Sequence, residues 1–315
     1  MRLRTLSCLV AAALSISACA SADDPSTDDP SGAAGELIVQ AANYELVAGE
    51  PSRFIAGLLT PDQFFVSYGT VDIEFSYLGT RDDEGVEEKG PVTTGRFLPI
   101  EGAAKGPSGD TPVAVSGSEG RGVYSTEVSF DRAGFWASRV TAELEDGALS
   151  GRSVFEVYED HRYPAVGEEA PRTDNLTASI TDAPREAIDS RARDGAKIPD
   201  PELHRITIAD SIRRKEPALV VFSTPVYCVS RFCGPITDMV SELEQEYADR
   251  ANFIHVEVWR NYQDTVANKG AAEWIFRGDD LTEPWIYLIG ADGTIEARWD
   301  NVATRAEIEP LLKEL

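Results

Sequence analysis

Five consecutive apolar residues, Ala218-Leu-Val-Val-Phe222, lead into a turn carrying Ser223, Thr224 and Pro225, and the turn leads into Cys228 and Cys233. After Gly234-Pro235 the apolar positions are Ile236, Met239, Val240, Leu243 and Tyr247, the spacing that lines one face of a helix. A short apolar run bounded by turn residues predicts a buried strand. The stretch is therefore a strand, a connection and an amphipathic helix, with both cysteines between strand end and helix start. A thiolate placed there is stabilised by the unpaired N–H groups and the positive dipole end of the helix.

The amino terminus bears on the compartment. Arg2 and Arg4 precede an apolar run from Leu6 to Ile16 that is too short to span a bilayer. The segment Ile16-Ser-Ala-Cys19 resembles the lipobox of bacterial lipoproteins. That resemblance implies a signal peptide over residues 1–18, cleavage before Cys19 and a lipid on its sulfur. The other reading is an ordinary secretory signal cut near Ala20 or Ala22. No other stretch reaches the roughly 18 apolar residues of a membrane helix, so the expected attachment is the lipid alone, on the extracytoplasmic side of the cell membrane. With Cys8 removed and Cys19 lipidated, Cys228 and Cys233 remain. A lone pair in an exported chain is a structural bridge, a redox couple or both.

The formal net charge of −25 argues against nucleic acid as a partner, because binding it takes basic patches. It also keeps the chain off anionic head groups beyond its tether. The length of 315 residues predicts two domains. Residues 19–36 lack large apolar side chains up to their end and are expected to be a disordered tether.

Residues 37–160 carry short alternating runs, such as Val71-Asp-Ile-Glu-Phe-Ser-Tyr77 and Val123-Tyr-Ser-Thr-Glu-Val-Ser-Phe130, between Gly, Pro and Asp clusters. This predicts an all-β sandwich. The stretch Gly122 to Trp136, a Tyr-bearing strand followed by an Ala-Gly-x-Trp turn, resembles the late strand pair of an immunoglobulin-like domain. Residues 78–121 are expected to hold a long mobile loop. This half carries no catalytic constellation, and a structural or partner-binding role is expected for it. Residues 161–202, punctuated by Pro164, Pro171, Pro184, Pro199 and Pro201, are expected to be a linker.

From residue 203 to 315 strands and helices alternate. A short helix is predicted at 208–214, a strand at 218–222, and a helix at about 235–250. There follow a strand at 252–259, a helical region at 265–276, a strand pair at 285–289 and 294–299 joined by Gly290-Ala-Asp-Gly293, and a last helix at 305–315. Together with Val220-Val-Phe, Cys233-Gly-Pro235 and Glu283-Pro284-Trp285, this order resembles a thioredoxin-like domain of secreted bacterial proteins. The lead-in Tyr163-Pro-Ala-Val-Gly-Glu-Glu-Ala-Pro171 is similar to the segment preceding domains of the peroxiredoxin and membrane-tethered thioredoxin type. The resemblance implies a cis-proline at Pro284 facing the cysteines. One departure stands out: Ile236 occupies the place of the family's second cysteine, and the extra cysteine, Cys228, lies five positions upstream of Cys233. Either Cys233 attacks and Cys228 resolves, or the reverse. Arg231 would favour a thiolate, and a charged Glu283 would oppose one.

The expected class is thus an immunoglobulin-like sandwich followed by an α/β thioredoxin-like domain. The expected function is thiol–disulfide exchange on exported proteins through Cys228 and Cys233. The alternative is a non-enzymatic adaptor that binds an unknown protein partner and uses the bridge as a staple. No cofactor is expected: zinc takes about four ligands, and His161, His204 and His255 are expected to be core or surface histidines. A Cu(I) site on the two cysteines alone is conceivable. Phosphate-binding loops and hydrolase motifs are absent.

Overall fold

The computed structural model describes residues 34–83, 85–100, 102–107, 109–116, 120–228, 230 and 232–315. The signal peptide, most of the tether, Cys19 and Arg231 lie outside the described residues.

Alternation builds the first half. In Thr70–Gly79, Val71, Ile73, Phe75 and Tyr77 turn inward while Asp72 and Glu74 face solvent. Ten strands form one sheet: β1 (Gly35–Glu36), β2 (Ile38–Ala41), β3 (Pro51–Leu59), β4 (Phe65–Ser67), β5 (Thr70–Gly79), β6 (Glu88–Pro99), β7 (Val113–Val115), β8 (Gly122–Ser129), β9 (Gly134–Leu144) and β10 (Gly147–Val157). The ladder runs β1-β10-β9-β5-β6-β8-β3-β4-β7, and β2 also pairs with β3. Because β1 pairs with β10 and β2, one residue further on, pairs with β3, the sheet curls back on itself. Its interior holds Phe54, Phe75, Phe130, Trp136 and Phe155, with ring centroids 4.9–6.2 Å apart in neighbouring pairs.

The second half has a fully buried strand at its centre, β11 (Ala218–Ser223). It pairs in parallel with β12 (Asn252–Glu257). The ladders β13 (Trp259–Asn261) with β14 (Val266–Ala267), and β15 (Phe276–Arg277) with β16 (Asp280–Leu281), are small additions. On its other side β11 pairs antiparallel with β17 (Trp285–Ile289), which pairs with β18 (Ile295–Asp300). The helices are α1 (Ile208–Arg214), α2 (Cys233–Tyr247), α3 (Lys269–Ile275) and α4 (Arg305–Glu314). Leu219 and Val221 of β11 pack with Met239, Val240 and Leu243 of α2 and Ile308 and Leu312 of α4. Val220 and Phe222 pack with Ile208 and Ile212 of α1 and Trp274 of α3. Burial on both faces is why β11 has no alternation.

Four expectations are corrected. The class is not a sandwich joined to a separate α/β thioredoxin-like domain: strand makes up 41% and helix 19%, and Ala34–Leu315 is a single unit built round one large curled sheet. The four-stranded sheet is not a free-standing domain, because residues from the first half complete it. The Asp300 carboxylate accepts from the Tyr44 N–H, and Arg53 grips Glu307 with Nε–Oε1 2.6 Å and Nη2–Oε2 3.2 Å. Residues 161–202 are ordered structure. Glu168 and Glu169 run beside β18, and Tyr163 packs on Trp285 at 4.9 Å. Gly35 and Glu36, placed in the tether, pair with Leu149 and Ser150. Residues 78–121, expected to hold a long loop, also contain the central strand β6. Gly90 and Pro91 sit there in a bulge opposite Phe75, where a missing N–H interrupts no ladder.

Candidate functional site

β11 ends at Ser223, and a turn closed by the Tyr227 N–H donating to the Thr224 carbonyl (3.2 Å) delivers the chain to Cys228. Cys228 is half-buried, while Cys233, the first residue of α2, is fully buried. The two form a disulfide with Cα atoms 6.0 Å apart, an ordinary span for the bond. The Cys233 N–H points at the Cys228 sulfur at 3.4 Å, and Ser230 Oγ lies 3.3 Å from the same sulfur. The helix start thus offers a donor to the more accessible sulfur.

The Glu283–Pro284 peptide is cis. A carboxylate oxygen of Glu283 and both sulfurs lie within 4.8 Å of one another. Glu283 is 9% exposed, and its Oε2 has no hydrogen-bond partner among the described residues. Burial, with the Glu257 charge nearby, pushes its carboxyl up to about 8. Glu283 is therefore a neutral acid at pH 7, and the opposing charge expected of it arises only in mildly alkaline solution. Its carbonyl accepts a hydrogen bond from the Tyr44 hydroxyl, which is also 3.1 Å from Asn301 Oδ1. Burial and the charges of Asp300 and Glu283 hold the Tyr44 phenol well above its ordinary value.

A second layer of buried polar groups lies beneath the bridge. Glu257, level with Ser223 across the parallel pair, accepts from the Ser190 N–H at 2.8 Å. Burial pushes its carboxyl up against the pull of His255, Thr224 and Ser190. Ser190 Oγ in turn accepts from the Val226 N–H at 3.2 Å, tying residues 189–190 to the cysteine loop. His255 Nε2 is 3.1 Å from the Ser223 carbonyl, and His255 Nδ1 is 3.4 Å from Asp189 Oδ2. His204 Nε2 is also 3.4 Å from that oxygen.

The structure brings together Cys228, Cys233 and the Glu283–Pro284 turn, all named from the sequence. His161 stands elsewhere, between Glu45 at 2.9 Å and Glu50 at 2.6 Å. Sequence reasoning missed Glu257, Tyr44 and the meeting of Asp189, His204 and His255. Tyr44 comes from the other half of the chain, and Asp189 lies in a stretch with no periodic pattern. The lone signal was polar residues, His255 and Glu257, inside the otherwise apolar β12.

No protein-family model matches the chain. No curated protein matches it either. Among solved structures, a superoxide reductase (neelaredoxin) from Ignicoccus hospitalis aligns at TM-score 0.20 and 10% identity, covering 39% of this chain and 81% of that one. Spo0M, a sporulation control protein from Bacillus subtilis, aligns at TM-score 0.22 and 11% identity, over 41% of this chain and 51% of that one. BslA, a bacterial hydrophobin, aligns at TM-score 0.18 and 11% identity, over 40% and 98%. Likenesses this faint assign neither fold nor activity.

Proposed function

We propose that the chain exchanges disulfides with thiols of exported proteins through Cys228 and Cys233, held at the extracytoplasmic face of the cell membrane by a lipid on Cys19. The observation that carries the exchange reaction is the asymmetry of the bridge. One sulfur is half-buried, the other is enclosed at a helix start, and beside both stands a neutral carboxyl whose Oε2 has no partner among the described residues. A staple needs no acid beside it, and an unpaired buried carboxyl costs stability.

In the oxidising direction a thiolate of the partner attacks Cys228 Sγ, and the Cys228–Cys233 bond breaks. Cys233 leaves with the electron pair and takes a proton from Glu283. A second partner thiolate then attacks the partner sulfur of the mixed disulfide, forming the partner's disulfide and releasing Cys228 as a thiolate. Two electrons pass to the chain, and its bridge becomes a dithiol. In the reducing direction the Cys228 thiolate attacks the partner's disulfide and expels one partner thiolate; Cys233, giving its proton to Glu283 in its ionised form, then attacks Cys228 Sγ, reforms the bridge and expels the second partner thiolate. The accessible sulfur thus makes the mixed disulfide in both directions.

Trapping tests this assignment. With Cys233→Ser no resolving thiol remains, so mixed disulfides through Cys228 should accumulate on non-reducing gels. With Cys228→Ser they should be at least ~10-fold scarcer, because the remaining thiol is buried. Equal trapping by both variants refutes the division of roles. No trapping by either, with a bridge that resists a reductant near −270 mV, leaves a structural staple in an adaptor.

A further inference from the structure

We infer that Asp189, His204 and His255 form a site for a divalent transition-metal ion of the zinc class, separate from the cysteine pair. All three residues are 0% exposed. One carboxylate oxygen, Asp189 Oδ2, lies 3.4 Å from His204 Nε2 and 3.4 Å from His255 Nδ1. Ligands held about 2.0–2.1 Å from a tetrahedral zinc stand about 3.3–3.4 Å from each other. The two distances match the edges of such a tetrahedron and are long for hydrogen bonds between charged groups.

The hydrogen-bonding of the three residues points the same way. Among the described residues, neither ring nitrogen of His204 has a hydrogen-bond partner of ordinary geometry, nor has His255 Nδ1. A buried imidazole that merely fills space almost always satisfies at least one nitrogen. The atoms left without partners include the two that face Asp189 Oδ2. The outer contacts are those of a metal-binding set. His255 Nε2, on the far side of its ring, is 3.1 Å from the Ser223 carbonyl, which fixes the tautomer that frees Nδ1. Asp189 Oδ1 accepts from the Arg191 N–H at 2.9 Å and from Arg191 Nε at 3.1 Å. Arg191 Nη2 also reaches Oδ2, at 2.8 Å, and the same guanidinium meets Asp200 at 2.9 Å and Asp238 at 3.1 Å. Its charge is therefore shared among three carboxylates and does not belong to the site alone. Two imidazoles and one carboxylate suit zinc, and three protein ligands leave one position for a water.

The ligands come from three parts of the chain. Asp189 precedes a 3₁₀ turn in 161–202, His204 ends another such turn, and His255 sits in β12. An ion would clamp the otherwise irregular stretch 185–204 onto the sheet beneath the cysteine loop. Its binding would count towards folding stability.

The test uses the full chain, stripped with a chelator while Cys228 and Cys233 stay oxidised, so that the sulfurs cannot bind metal. Zinc is titrated in, bound metal is counted, and X-ray absorption at the zinc edge reads the donors. One ion per chain is expected, in a shell of nitrogen and oxygen at about 2.0–2.1 Å, with no sulfur at about 2.3 Å. His204→Gln should weaken binding at least ~10-fold while leaving the disulfide formed. Sub-stoichiometric binding, a sulfur-containing shell, or unchanged affinity in His204→Gln overturns the site. If that variant does not fold, the absorption spectrum and stoichiometry of the wild type decide alone.

Discussion

Glu283→Gln tests how the disulfide's neighbourhood handles protons. The carboxyl titrates at about 8 in the folded chain, against 4.5 for an ordinary glutamate, because burial and the Glu257 charge disfavour its ionised form. Between those two values the folded chain keeps a proton that the unfolded chain gives up. Stability therefore falls as pH rises through that window and levels off above it. At about 1.4 kcal/mol per pH unit, the cost is near zero at pH 4, about 3 kcal/mol at pH 7 and about 5 kcal/mol at pH 9. Glutamine carries no ionisable proton, so the variant escapes the cost. Urea unfolding of the oxidised protein, wild type beside variant, at intervals from pH 4.5 to 9 measures it. The variant should gain on the wild type by about 1.4 kcal/mol per unit up to roughly pH 8. Any difference in packing or hydrogen bonding between the two side chains appears as a constant offset and cancels in the slope. A stability gap that stays flat between pH 5 and 8 refutes the raised carboxyl and removes the proton carrier from the exchange mechanism.

Three further outcomes are expected. Glu45 is buried against Arg298 (2.6 Å) and His161 (2.9 Å). Burial works against its ionised form, but these partners and the Arg162 N–H prevail and hold it below its ordinary value. Its contribution is therefore present above about 4.5 and lost as pH falls through the lower folded value. Glu45→Gln should cost about 3 kcal/mol at pH 7 and progressively less in acid, read by urea unfolding; a pH-independent loss would contradict the ion pair. A fragment beginning at Ala165 should fail to unfold cooperatively, since Tyr44, Glu45 and Arg53 are missing from it; a sharp calorimetric transition would show that the second half is self-sufficient. Cys19→Ser should release the protein from membranes into the soluble fraction, and unchanged sedimentation with membranes would exclude the lipid anchor.

What the sequence made legible follows the range of the interactions involved. The helix at Ile208–Arg214 and the strand at Trp285–Ile289 lie where periodicity placed them, and the strand that starts at Ala218 runs one residue further than expected. These elements are set by local pattern: a capping Thr207, a continuous apolar run, a strand entered from a proline. The helix over Lys269–Ile275 is shorter than the expected 265–276 because Thr265 takes a positive φ and Val266–Ala267 pair with β13. β6 was hidden because Gly90 and Pro91 break its alternation, and the bulge that accommodates them needs β5 alongside. The proline-punctuated stretch 161–202 was misleading for a related reason. Proline rules out regular helix and central strand, but not packing. Thr173 accepts from the Trp274 indole at 2.8 Å, and Asn175 accepts from the Ile208 N–H at 2.8 Å, with no secondary structure of their own. The cysteines and the Glu283–Pro284 turn were legible as residue types in a local frame. Their surroundings were not, because Tyr44 meets Glu283 from 239 positions away, and Ser190, next to Asp189, meets Val226 from 36 positions away.

The dependence of the site on the first half has a mechanical consequence. Tyr44 holds the Glu283 carbonyl, and the loop that carries Tyr44 is itself anchored through Asn43 and Glu45, to the Arg53 carbonyl at 2.8 Å and to Arg298 at 2.6 Å. Arg53 belongs to β3 and Arg298 to β18, so the carboxyl beside the disulfide is positioned by a clasp that joins the two sheets. Displacing the clasp would let water reach Glu283 and bring its titration back towards the ordinary range, since burial is the largest cause of its shift. A neutral acid ready to protonate a leaving thiolate at pH 7 would then become a carboxylate that repels one. If the chain exchanges disulfides as proposed, the large sheet is part of that chemistry, because it helps set the protonation state of the carboxyl beside Cys228 and Cys233.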